Sequence, residues 1–247
     1  MQPRTLLRSF LSAAATAAGV FASHQGIRAQ SPAQLPGPPG EPTPGAARRL
    51  GLGDRGRDGL LYVPPMFTRE RAMPLVVVLH GAGGSSMSAQ YAFPHAADLG
   101  FIVLAPDSRD ERTWDSLLGE WGPDVEFIAE AMRYATGLCR IDSGRIALAG
   151  FSDGASYALS MGIGAGDVFS RIMAMSPGVM EPIAVSGKPK IFISHGTSDP
   201  VMPIGITSRR FVPKLRMLGY DVTYREYDGR HQLPPAIARE AFEWFSR

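Results

Sequence analysis

A single cysteine, Cys139, stands among the 247 residues, so no internal disulfide can form, and no partner at ligand spacing points to a structural zinc site. Cys139 reads as a small buried hydrophobe. Charge of one sign is also scarce. The formal net charge is +2, and the first forty residues carry Arg4, Arg8 and Arg28 with no acid, which leaves 22 basic against 23 acidic residues in the remainder. Nothing in that balance resembles a nucleic-acid-binding surface. Long apolar runs are absent after the N-terminus, so no membrane span is expected in the mature protein. No internal repeat is visible, and the length suits one domain.

Residues 1–30 are the exception. A basic start with Arg4 and Arg8 precedes an apolar stretch from Phe10 to Ala22, too short to span a membrane, and then small residues suited to cleavage. This pattern reads as an export signal, with cleavage expected between Ser23 and Ser31 and a periplasmic or secreted product. An uncleaved tail and a mitochondrial transit peptide are the other readings. Residues 31–47, mostly SPAQLPGPPGEPTPGA, hold proline and glycine with almost nothing to bury and read as a tether, leaving 48–247 as the folded domain.

Within that domain the pattern is strand, glycine-rich loop, helix, repeated. The runs 75–79, 101–105, 145–149, 172–175 and 191–194 are apolar without polar alternation, as in strands covered on both faces. Helical stretches at 86–99, 123–138, 153–164, 205–218 and 234–246 separate them, and a strand at 221–227 is placed at one edge. The expected class is α/β, a mostly parallel sheet with helices on both faces and the active site at the carboxyl ends of the strands.

Gly150-Phe151-Ser152-Asp153-Gly154 is a G-x-S-x-G sequence lying after an apolar strand and before a helix. A serine on so sharp a turn needs small neighbours, which Gly150 and Gly154 supply. Five histidines compete for the role of its base. His24 lies in the N-terminal segment, His95 in a helix, and His195 at a strand end, while His80 opens the His80-Gly81-Ala82-Gly83-Gly84 loop. His231, in the loop before the last helix, remains. Asp199, after the strand ending at His195-Gly196, is the acid of choice over Asp107, Asp153 and Asp228, because it can hold the imidazole tautomer from a suitable loop. Backbone N–H groups of Ala82 and Asp153 are the expected oxyanion donors.

On the residues 79–84, 150–154, 194–199 and 229–231, the chain resembles the phospholipase/carboxylesterase group of α/β-hydrolases and the related bacterial feruloyl esterase and polyhydroxybutyrate depolymerase-like proteins. The likeness runs from about Gly59 to Phe245. It implies a carboxylic ester hydrolase with the triad Ser152, His231 and Asp199, no cofactor and no metal, acting on a small-molecule or polymeric ester. Acyl transfer or peptide cleavage by the same triad remains open, as does a non-catalytic binding protein on this fold. Only 14 residues, Ser176 to Pro189, connect two strands where a lid is commonly inserted, so no lid domain is expected. The site should then be a shallow open groove, walled by Trp114 and Met202, that favours short acyl chains.

Overall fold

The computed structural model describes residues 40–53, 56–119 and 121–247. The expected export signal and most of the expected tether lie outside these residues. Eight strands form one sheet: β1 (Ala47–Arg49), β2 (Gly59–Tyr62), β3 (Met73–Leu79), β4 (Ile102–Pro106), β5 (Ile141–Phe151), β6 (Arg171–Met175), β7 (Lys190–Gly196) and β8 (Val222–Tyr227). Their spatial order is β1-β2-β4-β3-β5-β6-β7-β8, with the first two strands antiparallel and every other pairing parallel. Five α-helices accompany them: α1 (Ala92–Leu99), α2 (Pro123–Leu138), α3 (Asp153–Gly164), α4 (Ser208–Met217) and α5 (Pro235–Ser246).

The continuous apolar strands feed two cores. In β3, Val76 and Val78 point into a cluster with Ala92 and Ala96 of α1 and Phe242 and Phe245 of α5. Leu75, Val77 and Leu79 of the same strand join the opposite cluster, with Ile128 of α2 and Tyr157 of α3. Alternation is thus present in the side-chain directions although every residue of β3 is buried. A third cluster places Val212 and Leu215 of α4 against Ile191 and Ile193 of β7.

Two elements differ from the sequence expectation. Residues 86–99 form a 3₁₀ segment, Ser86–Tyr91, followed by α1, which tolerates Pro94 because first-turn N–H groups have no helical partner. The sheet also gains β1, whose register pairs Ala47 with Tyr62. Ordered pairing begins before it, where the Gly45 N–H donates to the Val63 carbonyl, inside the segment read as tether.

Candidate active site

Ser152 stands between β5 and α3 with φ 58° and ψ −122°, a left-handed backbone that a non-glycine residue adopts only when its surroundings impose it. Both flanking glycines are required by contact. A Cβ on Gly150 would sit 2.2 Å from the Gly154 carbonyl oxygen, and one on Gly154 would sit 2.3 Å from that of Leu79 and 2.5 Å from that of His80. The turn aims the Ser152 hydroxyl at His231, whose Nε2 lies 2.8 Å from Oγ, while Nδ1 lies 2.7 Å from Asp199 Oδ2. The Phe151 ring packs tilted against the His231 ring at 4.9 Å between centroids.

Asp199 is enclosed, and burial alone raises its pKa. Hydrogen bonds from the Met202 N–H, His231 and the Val201 N–H outweigh that and bring it below the ordinary carboxylate range. The carboxylate is therefore ionised beside the imidazole. Of its rivals, Asp107 instead accepts from the Asp58 and Ser86 N–H groups, bracing the chain ahead of β2 and the start of the 3₁₀ segment. Asp153 accepts from the Thr113 hydroxyl at 2.6 Å.

Two backbone N–H groups close to the serine in sequence or space are without acceptors among the described residues. Asp153 is the first residue of α3, where N–H groups have no helical acceptor. Gly81, the neighbour of Ala82 in the chain, lies close enough that a Cβ there would be 3.4 Å from Ser152 Cβ. Among the described residues, neither the Ala82 nor the Asp153 N–H has a hydrogen-bond acceptor. His80 holds this loop from behind. Its Nε2 accepts from the Ser108 N–H at 3.0 Å and from Arg57 at 3.1 Å, so Nδ1 carries the proton and donates to the Gly81 carbonyl at 2.8 Å. Burial, with Arg57 nearby, lowers the His80 pKa and keeps the ring neutral.

Trp114 is not a groove wall. It is fully buried, and its indole N–H donates to the His80 carbonyl at 2.8 Å while the ring packs on His80 and Tyr157. A large aromatic with one donor suits this role, since the interior carbonyl would otherwise lack that partner. Together with the Gly83 N–H to Arg112 carbonyl bond at 2.7 Å and the Thr113 to Asp153 bond, it makes 112–114 a brace for the 80–84 loop and the start of α3. Met202 is half-buried, packed over Gly178, where a Cβ would meet its sulfur at 2.2 Å.

Nor is the groove merely shallow. A cavity of about 440 Å³ lies between the 3₁₀ segment, α1 and α5, lined by residues that include Gly81, Phe151, Tyr91, Leu233 and Ala238. Gly81 and Phe151 adjoin Ser152, whereas Ser152, Asp199 and His231 themselves are not among the lining residues. Residues 176–189, by contrast, form no covering subdomain. The Gly178 and Val179 N–H groups donate to Ser156 Oγ and that of Glu181 to Ser160 Oγ, so the segment lies along α3. Among the described residues no group of three His, Cys, Asp or Glu side chains could hold a metal ion.

The sequence reading missed His195 as part of this site. It is wholly buried, with Nε2 3.3 Å from Asp199 Oδ2 and 2.7 Å from the Met202 carbonyl. Its four-residue spacing from Asp199 was the available signal.

Residues 122–244 match the Phospholipase/Carboxylesterase family, a span that holds Ser152, Asp199 and His231 but begins after Ala82. NocK of Nocardia uniformis subsp. tsuyamanensis, named as an esterase, is 27% identical over 141 residues, covering 53% of this chain and 41% of that protein. The chain therefore spans well under half the length of that curated relative. FphF of Staphylococcus aureus, a fluorophosphonate-binding serine hydrolase, superposes with a TM-score of 0.65 at 15% identity over 83% of this chain and 100% of that one. A phospholipase/carboxylesterase from Dyadobacter fermentans DSM 18053 gives 0.59 at 20% identity over 78% and 97%. At these identities the two structures establish the shared fold alone.

Proposed function

From a chain that belongs to the α/β-hydrolase superfamily and its phospholipase/carboxylesterase group, we propose a serine hydrolase that cleaves a carboxylic ester through an acyl-Ser152 intermediate. The observation that carries this is the unbroken line from Asp199 through His231 to Ser152, at 2.7 and 2.8 Å, on a strained strand-to-helix turn. His231 takes the serine proton as Oγ attacks the ester carbonyl, and Asp199 stabilises the imidazolium. The Ala82 and Asp153 N–H groups receive the oxyanion. His231 then donates its proton to the departing alcohol, and a water activated by the same imidazole releases the acid.

The substrate is a short-chain, aryl or polymeric ester. A cavity of about 440 Å³ beside Ser152 accommodates a ring-sized apolar group, which favours aryl esters among these. Long acyl chains are disfavoured, since with no lid each CH₂ left in water forgoes ~0.8 kcal/mol. The basic and apolar segment ahead of Ser23 supports export of the enzyme.

Steady-state turnover of a panel of p-nitrophenyl, aryl and polymeric esters tests the reading. Ser152→Ala and His231→Ala should each reduce kcat by orders of magnitude with the fold retained, and Asp199→Asn by a similar or smaller factor. Folded Ser152→Ala that keeps substantial activity rules the mechanism out.

A further inference from the structure

Asp199 is held on both sides. Oδ1 accepts the Val201 and Met202 N–H groups at 2.9 and 2.8 Å, whereas Oδ2, the oxygen that faces His231, is also 3.3 Å from His195 Nε2. That same nitrogen is 2.7 Å from the Met202 carbonyl, and His195 Nδ1 is 2.7 Å from Ser208 Oγ at the start of α4. Two acceptors converge on Nε2, and an ionised carboxylate and a carbonyl cannot donate, so Nε2 must carry the proton. Nδ1 is then the bare nitrogen and accepts the Ser208 hydroxyl. A doubly protonated ring is opposed by burial, which lowers the His195 pKa, with Asp199 acting the other way and His231 adding to the lowering. His195, Ser208 and the Asp199 side chain are all fully enclosed, so water competes for none of these bonds.

The result is a chain of five side chains, Ser208–His195–Asp199–His231–Ser152, with a histidine on each side of one carboxylate. We propose that His195 is a positioning residue for the Asp199–His231 pair: neutral and protonated on Nε2, it fixes the rotation of the carboxylate and draws charge from the oxygen facing His231, while Ser208 fixes its tautomer. A carboxylate that shares its charge with a second donor attracts the His231 proton less strongly. Removing the second donor returns charge to that oxygen and strengthens its hold on the His231 proton. Other charged or titratable groups near this chain include Glu226 and Tyr227 of β8, Arg209 beside Ser208 and ion-paired to Glu226, Asp228 and Arg230 in the His231 loop, and Asp153 beside Ser152, and all stay in place in the variants below.

This inference rests on the hydrolase reading for its rate consequences but not for its structural ones. The experiment uses the whole protein with the wild type, His195→Leu, His195→Gln and Ser208→Ala. Nitrogen-15 imidazole spectra read each ring's tautomer and titration, and pH profiles of p-nitrophenyl acetate turnover read kcat and KM. In the wild type, His195 should be the Nε2–H tautomer across the neutral range. In His195→Leu the His231 titration and the acid limb of kcat/KM should both move to higher pH by roughly half to one unit, the size of one hydrogen bond. There kcat should fall about three- to tenfold, with KM changing less than about twofold. His195→Gln, which keeps a side-chain N–H donor, should recover most of the shift, and Ser208→Ala should show a smaller one in the same direction.

A wild-type His195 protonated on Nδ1 alone overturns the proposal. So does a folded His195→Leu with an unmoved His231 titration, even if its stability has dropped, because a packing role alone predicts that outcome. If His195→Leu does not fold, the wild-type tautomer and the Ser208→Ala titration decide. Wild-type protein that hydrolyses no ester ends the hydrolase reading, while the two ring titrations still test the role of His195.

Discussion

Asp199 and Asp124 are both buried carboxylates, and their surroundings push them in opposite directions. Asp199 has enough donors to be ionised more easily than in water, so its stabilisation is present above the unfolded carboxylate value and lost as pH falls through its lowered folded one. For Asp124, burial dominates, and with Asp115 as a like-charged neighbour it reaches about 6 despite hydrogen bonds from the Arg109 and Asp115 N–H groups. The folded protein thus holds a proton on Asp124 that the unfolded chain releases near pH 4, and stability declines as pH rises from about 4 through about 6. In urea titrations the wild type should lose on the order of 2 kcal/mol relative to Asp124→Asn across that window. Parallel profiles for the two proteins would contradict the assignment. Sequence and structure part at this scale for a physical reason. Ser152 and its glycines were legible because a steric requirement is written into adjacent residues, and His231 and Asp199 followed from loop position. His195 and Trp114 were not, since the first works through a contact made only when β7 and α4 pack, and the second disappears into a core that an aromatic in a loop does not announce.

At the scale of elements, the strands were legible because burial on both faces leaves uninterrupted apolar runs, as in Leu75 to Leu79. β1 was not, because Ala47-Arg48-Arg49 has no apolar pattern and is held by backbone pairing to β2. The cavity beside Ser152 was equally hidden. Its walls come from α1 and α5, which are far apart in the chain, and from loop residues, so no local pattern records it. Ala238, buried on α5, allows it to be tested. Ala238→Phe should fill part of the cavity and reduce kcat/KM for phenyl-bearing esters at least about tenfold relative to methyl acetate, a loss of ~1.4 kcal/mol in discrimination. An unchanged ratio in a folded variant would place the ring elsewhere, with the Met202 side of Ser152 as the next candidate.

For the whole molecule, residues 176–189 lie along α3, and the carboxyl ends of the central strands carry no covering subdomain among the described residues. Turnover should therefore rise smoothly as a water-soluble ester approaches and passes its micelle threshold. A jump in rate at that threshold would mean that some segment opens at the interface. Ser152 Oγ can be read directly as the nucleophile by reacting the purified protein with a fluorophosphonate and following intact mass and ester turnover together. One adduct per chain is expected, mapped to Ser152 in the peptide holding Gly150 to Gly154, with activity lost in proportion and no adduct in Ser152→Ala. An unmodified protein, or an adduct on another residue that removes activity while Ser152 stays free, would contradict it.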